Sequence, residues 1–147
     1  MTQFYYVCSK SPLDTGIFGE EKKESRKGHM TYETEVDEAS ITVKLLDGKG
    51  HGHLSYPYQY EVDSNIGDFG TYKPILNELD QKCLNTLLSY IKEAVNRSFV
   101  IEFYTAWAGE EDLEPIQVTE LALEELTCEA LQLKNLEKLR IYRRLGY

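Results

Sequence analysis

The stretch 75–96, ILNELDQKCLNTLLSYIKEAVN, decides how the chain is read. Ile75, Leu76, Leu79, Cys83, Leu84, Leu87, Leu88, Ile91, Ala94 and Val95 recur at steps of three and four, the spacing that puts side chains on one face of an α-helix. One long amphipathic helix over about 75–96 is predicted. Pro74 can precede its first turn, Asn77 is a candidate N-cap with Asp80 three residues later, and Asn96 is the candidate stop. A helix with a single apolar face must bury it against another layer, and the flanking sequence supplies strands.

Immediately downstream, Phe99 to Thr105 is apolar on both faces, as a central strand covered by that helix should be. Upstream the period is two. Met30, Tyr32, Thr34 and Val36 alternate with Thr31, Glu33, Glu35 and Asp37, and Ile41, Val43 and Leu45 follow in the same pattern. Leu54, Tyr56, Tyr58, Tyr60 and Val62 form a third alternating set, joined to the second by the glycine-rich turn 47–53. Pro57 has no N–H to give a ladder, which predicts an edge or a bulge for its strand. Phe4 to Ser9 reads as a further strand, and 10–29 as a long loop in which Ile17 and Phe18, between two glycines, form a short strand or a docked tip. The last forty residues read two ways. As a helix, 123–136 groups Leu123, Leu126, Ala130, Leu133 and Leu136 on one arc, whereas Leu121/Leu123, Leu131/Leu133 and Leu139/Ile141 alternate as in strands. The preferred reading is a strand near Ile116 and Val118, a helical turn or two over Glu124 to Cys128, and a closing strand Leu139 to Arg143. The predicted fold is α+β: an antiparallel sheet of about six strands with the helix on one face, in a single domain over 1–147.

Charge narrows the function. Lys and Arg number 16 against 25 Asp and Glu, a formal charge of -9 that repels phosphate backbones, so no nucleic-acid partner is expected. No run of about 18 apolar residues occurs, and no basic stretch precedes an apolar segment at the start, so neither a membrane span nor a cleaved leader is expected. Cys8, Cys83 and Cys128 are odd in number and include no C-x-x-C pair, which points to reduced thiols in a cytoplasm.

Motifs for chemistry are sparse. On an extended chain His51 and His53 point the same way and could hold a divalent ion with His29 or Asp47, yet a structural metal needs four ligands, so no metal or other cofactor is expected. Gly48, Gly50 and Gly52 match neither phosphate-binding glycine pattern, and 63–74 departs from a calcium loop at its glycine and at Pro74. No G-x-S-x-G elbow is present. What stands out is surface. Tyr56, Tyr58 and Tyr60 fall on one face of a strand, and Trp107 precedes Glu110, Glu111, Asp112 and Glu114. Segment 110–129 holds eight carboxylates and no cation, a concentration that repels itself until something basic approaches. These eight named aromatic and acidic residues are the expected partner-binding set.

In size, charge and the stretches IEFYTAWAGEE (101–111) and KLRIYR (138–143), the chain resembles the small acidic immunity proteins of bacterial polymorphic toxin systems. The resemblance implies one-to-one binding that blocks a cognate toxin, commonly a basic nuclease, without catalysis by this chain. The competing class is a small enzyme or ligand-binding domain that uses a pocket between the sheet and loop 10–29, with His51 and His53 supplying the chemistry.

Overall fold

A computed structural model of the chain describes residues 2–24, 27–48 and 50–145. The expected helix forms as α2, Glu78–Ser98. It begins after Asn77 because that side chain accepts from the Asp80 N–H while the Asp80 carboxylate reaches back to the Asn77 N–H, the reciprocal arrangement that satisfies two of the free donors of a first turn. Residues 75–77 therefore lie outside it, and Ile75 is exposed. Asn96 does not end it. The helix runs on to Ser98 and stops at Phe99, whose φ of 69° is left-handed and breaks the helical path.

Among the described residues nine strands accompany it: β1 Gln3–Ser9, β2 Gly16–Phe18, β3 Lys23–Glu24, β4 Met30–Thr31, β5 Ser40–Leu45, β6 Tyr58–Asn65, β7 Val100–Trp107, β8 Gln117–Ala122 and β9 Glu137–Tyr142. Seven of them build one sheet in the order β2-β5-β6-β1-β7-β9-β8, and β3 pairs with β4 in a separate small sheet. All neighbours in the large sheet are antiparallel except β8 and β9. That parallel pair requires a crossover, and residues 123–136 provide it with single 3₁₀ turns at Leu123–Glu125 and Glu129–Leu131. Leu126, Leu131 and Leu133 of the crossover are buried beside α2, so the connection also closes the core.

Val7, Val43, Val62, Ile101, Phe103, Leu139 and Ile141 point from the sheet toward Leu84, Leu87, Ile91 and Val95 of the helix, and all are essentially inaccessible. Burial of each such side chain is worth about 1.5–3 kcal/mol, so this layer is the main source of stability. Among the described residues no helix is long and apolar enough to cross a membrane.

Three local expectations are corrected. The strand predicted from Met30 to Val36 ends at Thr31, because Thr34 caps a short helix α1, Glu35–Glu38, with Asp37 closing a capping box. The alternation there reflected the charged surface of a turn. The strand predicted over 54–62 lies instead at Tyr58–Asn65, with Pro57 just before it, and β6 is an interior strand between β5 and β1. Proline at that boundary needs no edge. Loop 10–29 contains β2, docked on β5, and β3; Ser25, Arg26 and, in turn 47–53, Lys49 lie outside the described residues.

Candidate functional site

The face of the sheet away from α2 is built differently in its two halves. On β5 and β6 it carries Thr42, Lys44, Gln59, Glu61 and Asp63, a polar surface. On β1, β7 and β9 it carries Tyr6, Cys8, Glu102, Tyr104, Ala106, Lys138 and Arg140, and there the connection 46–57 folds back over it.

At the centre of that half lies Glu102, which has no exposed surface. Its Oε1 accepts from Ser55 N at 2.8 Å and Lys138 Nζ at 3.2 Å, and its Oε2 from Ser55 Oγ at 2.8 Å and Arg140 Nη2 at 2.6 Å. Burial alone would raise its pKa, but the hydrogen bonds from Ser55 and Arg140 and the charge of Lys138 outweigh it and hold the carboxyl at about 2. Cys8 Sγ lies 3.5 Å from Oε1, and burial, with the neighbouring Glu102 charge, pushes the thiol up to about 12. Cys8 is thus no nucleophile at neutral pH. The cluster is an anchor that fastens the 46–57 connection to β7 and β9, and its charges are spent on one another.

The anchored connection presents both histidines to the sheet. Their rings stack on each other, 5.5 Å apart and within 9° of parallel, between Tyr6, 4.7 Å from His51, and Tyr104, 4.4 Å from His53. His53 Nε2 donates to the Glu111 carbonyl at 2.7 Å, and its Nδ1 is buried without a hydrogen-bond partner. His51 Nδ1 lies 2.8 Å from Asp112 Oδ1 and donates to it when the carboxylate is ionised. Lys138 Nζ also donates to the His53 carbonyl. His29 lies elsewhere, at the connection between β3 and β4, and among the described residues no group of three or more His, Cys, Asp or Glu is arranged to hold a metal.

Both imidazoles therefore grip the loop 107–114, and other bonds complete the hold. Tyr104 Oη donates to the Leu113 carbonyl at 2.9 Å, Asn135 Nδ2 to Glu110 Oε2 at 3.0 Å, and Trp107 N to Asn135 Oδ1 at 2.8 Å. The Tyr104 phenol is pushed up to about 12 by burial and then by the carboxylates of Glu110, Glu111 and Asp112 above it. The acidic residues expected to contact a partner are thus gathered on one fixed loop.

Asp112 and Glu114 are exposed, whereas Glu110, Glu111 and Trp107 are half-buried. The tyrosines separate. Tyr58 is exposed and Tyr56 half-buried with Lys10 Nζ over its ring, but Tyr60 keeps only 2% of its surface and accepts from Leu13 N, so it cannot touch a partner. The three do not share a strand face, because Tyr56 precedes β6.

Two kinds of residue were missed. Glu102, Lys138 and Arg140 had a signal: a lone acid inside an apolar strand, matched by two cations two positions apart in another. Leu113, Ile116 and Val118, each about half exposed or more beside Glu114, had none until β8 emerged as the sheet's outer strand. Two surface depressions lie away from the histidines, one between α2 and residues 13–19 and a shallower one lined by Tyr32, Thr42 and Asn65. Compared with known protein families, with curated proteins and with solved structures, the chain has no match.

Proposed function

We propose that this chain is a non-enzymatic binding protein that neutralises a basic partner, in the manner of a cytoplasmic immunity protein that blocks a bacterial toxin domain. The supporting observation is the fixed loop 107–114, which holds Asp112 and Glu114 in solvent beside the exposed apolar side chains of Leu113, Ile116 and Val118. An acidic rim next to an apolar patch suits a basic protein surface: the charges steer encounter, and desolvated apolar and aromatic contacts slow dissociation. Trp107 and Tyr58 are the aromatic candidates for that contact; Tyr60 is not.

The open edge of β8 adjoins this patch, and a protein leaves such an edge accessible at the risk of unwanted pairing unless a partner uses it or charge guards it. Glu120 on β8 is held by Arg140 at 3.0 Å, and Glu124 and Glu125 by Arg144. The exposed carboxylates of this rim that no Lys or Arg pairs in the described residues are those of Asp112 and Glu114.

The test is genetic and then kinetic. Expression of the neighbouring gene alone should be toxic to a bacterial host, and co-expression of this chain should restore growth. Glu114→Lys combined with Ile116→Ser should weaken rescue and slow association while thermal melting of the isolated protein stays unchanged. A non-toxic neighbour, or toxicity that this chain does not relieve, rejects the reading.

A second reading, chemistry at His51, rests on its contact with Asp112, since a carboxylate on Nδ1 orients an imidazole as a general base. His51→Gln would then abolish a hydrolytic activity.

A further inference from the structure

Residues 12–19, which include the edge strand β2, run along one flank of α2 and are fastened to it at both ends. Near the helix C-terminus Tyr90 Oη donates to the Asp14 carbonyl at 2.7 Å, Arg97 Nη2 meets the Asp14 carboxylate at 3.1 Å, and the hydroxyl oxygens of Ser11 and Ser98 are 2.6 Å apart. About three turns back from Arg97 toward the N-terminus, Gly19 approaches Thr86 so closely that a Cβ would lie 2.7 Å from its Oγ1. Glycine is required there both by this approach and by a φ of 94°.

Between the fastenings strap and helix stand apart and enclose about 340 Å³, within the range of about 300–1,000 Å³ typical of small-molecule sites. Leu13, Phe18, Tyr90 and Ala94 give the cavity an apolar floor, with the Phe18 and Tyr90 rings 5.0 Å apart and tilted by 54°. Its rim is charged. Asp14 and Glu93 face a single cation, Arg97, and both of its ion pairs run through Nη2. One negative charge is left in excess, on a chain whose net charge is already -9.

We infer that this cavity binds a small organic amine, with its apolar body against Leu13, Phe18 and Ala94 and its ammonium beside the Tyr90 ring on the carboxylate oxygens that Arg97 does not engage, Asp14 Oδ1 and Glu93 Oε2. An anionic end would meet the excess carboxylate, and a neutral one would gain the apolar contact alone. A cation gains from the carboxylates and from the faces of the aromatic rings as well. The site is independent of the acidic loop, which lies on the other face of the sheet.

The test uses 2-phenylethylamine, 2-phenylethanol and phenylacetate, which share a phenyl body and differ in the charge of the end group. Each is titrated into the full chain at low salt and followed by amide shifts in NMR. The amine should give saturable shifts confined to 13–19 and the facing turns of α2, bind at least about tenfold more tightly than phenylacetate, and weaken with added salt. Ser89 is exposed on the helix at the cavity mouth, so Ser89→Trp should fill the space and abolish binding without disturbing the core. Glu93→Lys should reverse the order of amine and acid. Thermal melting establishes that each variant is folded, and the two act independently. Phenylacetate binding as tightly as the amine overturns the inference. So does failure of the amine to saturate by about 10 mM, and so do shifts of undiminished strength in folded Ser89→Trp.

Discussion

Glu102 and Arg140 stand directly opposite each other across the β7–β9 ladder and meet at 2.6 Å between Oε2 and Nη2, with the carboxylate wholly removed from water. The pair is one side of a larger cluster, since Lys138, whose side chain is only 7% exposed, approaches the other carboxylate oxygen. A buried charge left without its partner is worse than a pair that was never there.

Glu102→Gln should therefore lower unfolding free energy by about 3–5 kcal/mol, read from urea denaturation, because Lys138 stays buried with its counter-charge gone. The double variant Glu102→Gln with Lys138→Met should be more stable than the sum of the single losses predicts, since the second change removes the stranded ammonium. Additive losses would show that the two groups are not coupled.

The same carboxyl sets a pH response. Its folded pKa of about 2 lies below the ordinary 4.5, so its contribution is fully present above about pH 4.5 and is lost as pH falls toward 2. That loss amounts to about 3 kcal/mol. Asp80 acts in the same sense: burial raises its pKa, but Lys73 and the N–H groups of Asp68 and Asn77 outweigh that and lower it. Urea midpoints measured from pH 7 down to pH 2.5 should fall steeply in the parent and less steeply in Glu102→Gln.

Asn77→Ala removes the acceptor that meets the Asp80 N–H at 2.8 Å and opens the capping box. A cost of about 1 kcal/mol is expected, together with faster amide exchange confined to the first turn of α2. Unchanged exchange at residues 78–81 would assign the start of the helix to packing alone.

Gly67→Ala should be destabilising by about 1–3 kcal/mol, because the new Cβ would lie 2.5 Å from the Leu79 carbonyl oxygen, a backbone atom at the head of α2 that cannot turn aside. Gly52 is the control: open space surrounds the corresponding position, and Gly52→Ala should stay within about 0.5 kcal/mol of the parent. Thermal melts of the two variants decide the matter.

Some of this architecture is written locally. The helix was legible because apolar residues at steps of three and four can bury together only on a helix, and its start was legible because Asn77 and Asp80 satisfy each other within one turn. β5 and β9 were legible for the equivalent reason at a period of two, and β7 because a short run apolar on both faces fits a covered central strand. Where a local device competed with the period, the pattern misled: the Thr34–Asp37 capping box bends residues that alternate like a strand, and Pro57 marks a strand's beginning instead of a sheet's edge. The collection of Glu110, Glu111, Asp112 and Glu114 was visible because charge is a property of composition.

What the tertiary structure decided are the relations between segments far apart in sequence. Strand order placed β8 parallel to β9 at the open edge and so exposed Ile116 and Val118; the same order made β6 interior and buried Tyr60. Docking of 46–57 on the sheet brought His51 and His53 onto the acidic loop and Ser55 onto Glu102. Periodicity reports which face of an element is apolar, because that is fixed by neighbours along the chain. It does not report which element covers that face, because this depends on how the segments pack, and their burial determines whether a tyrosine or a glutamate meets water or lies beneath another segment.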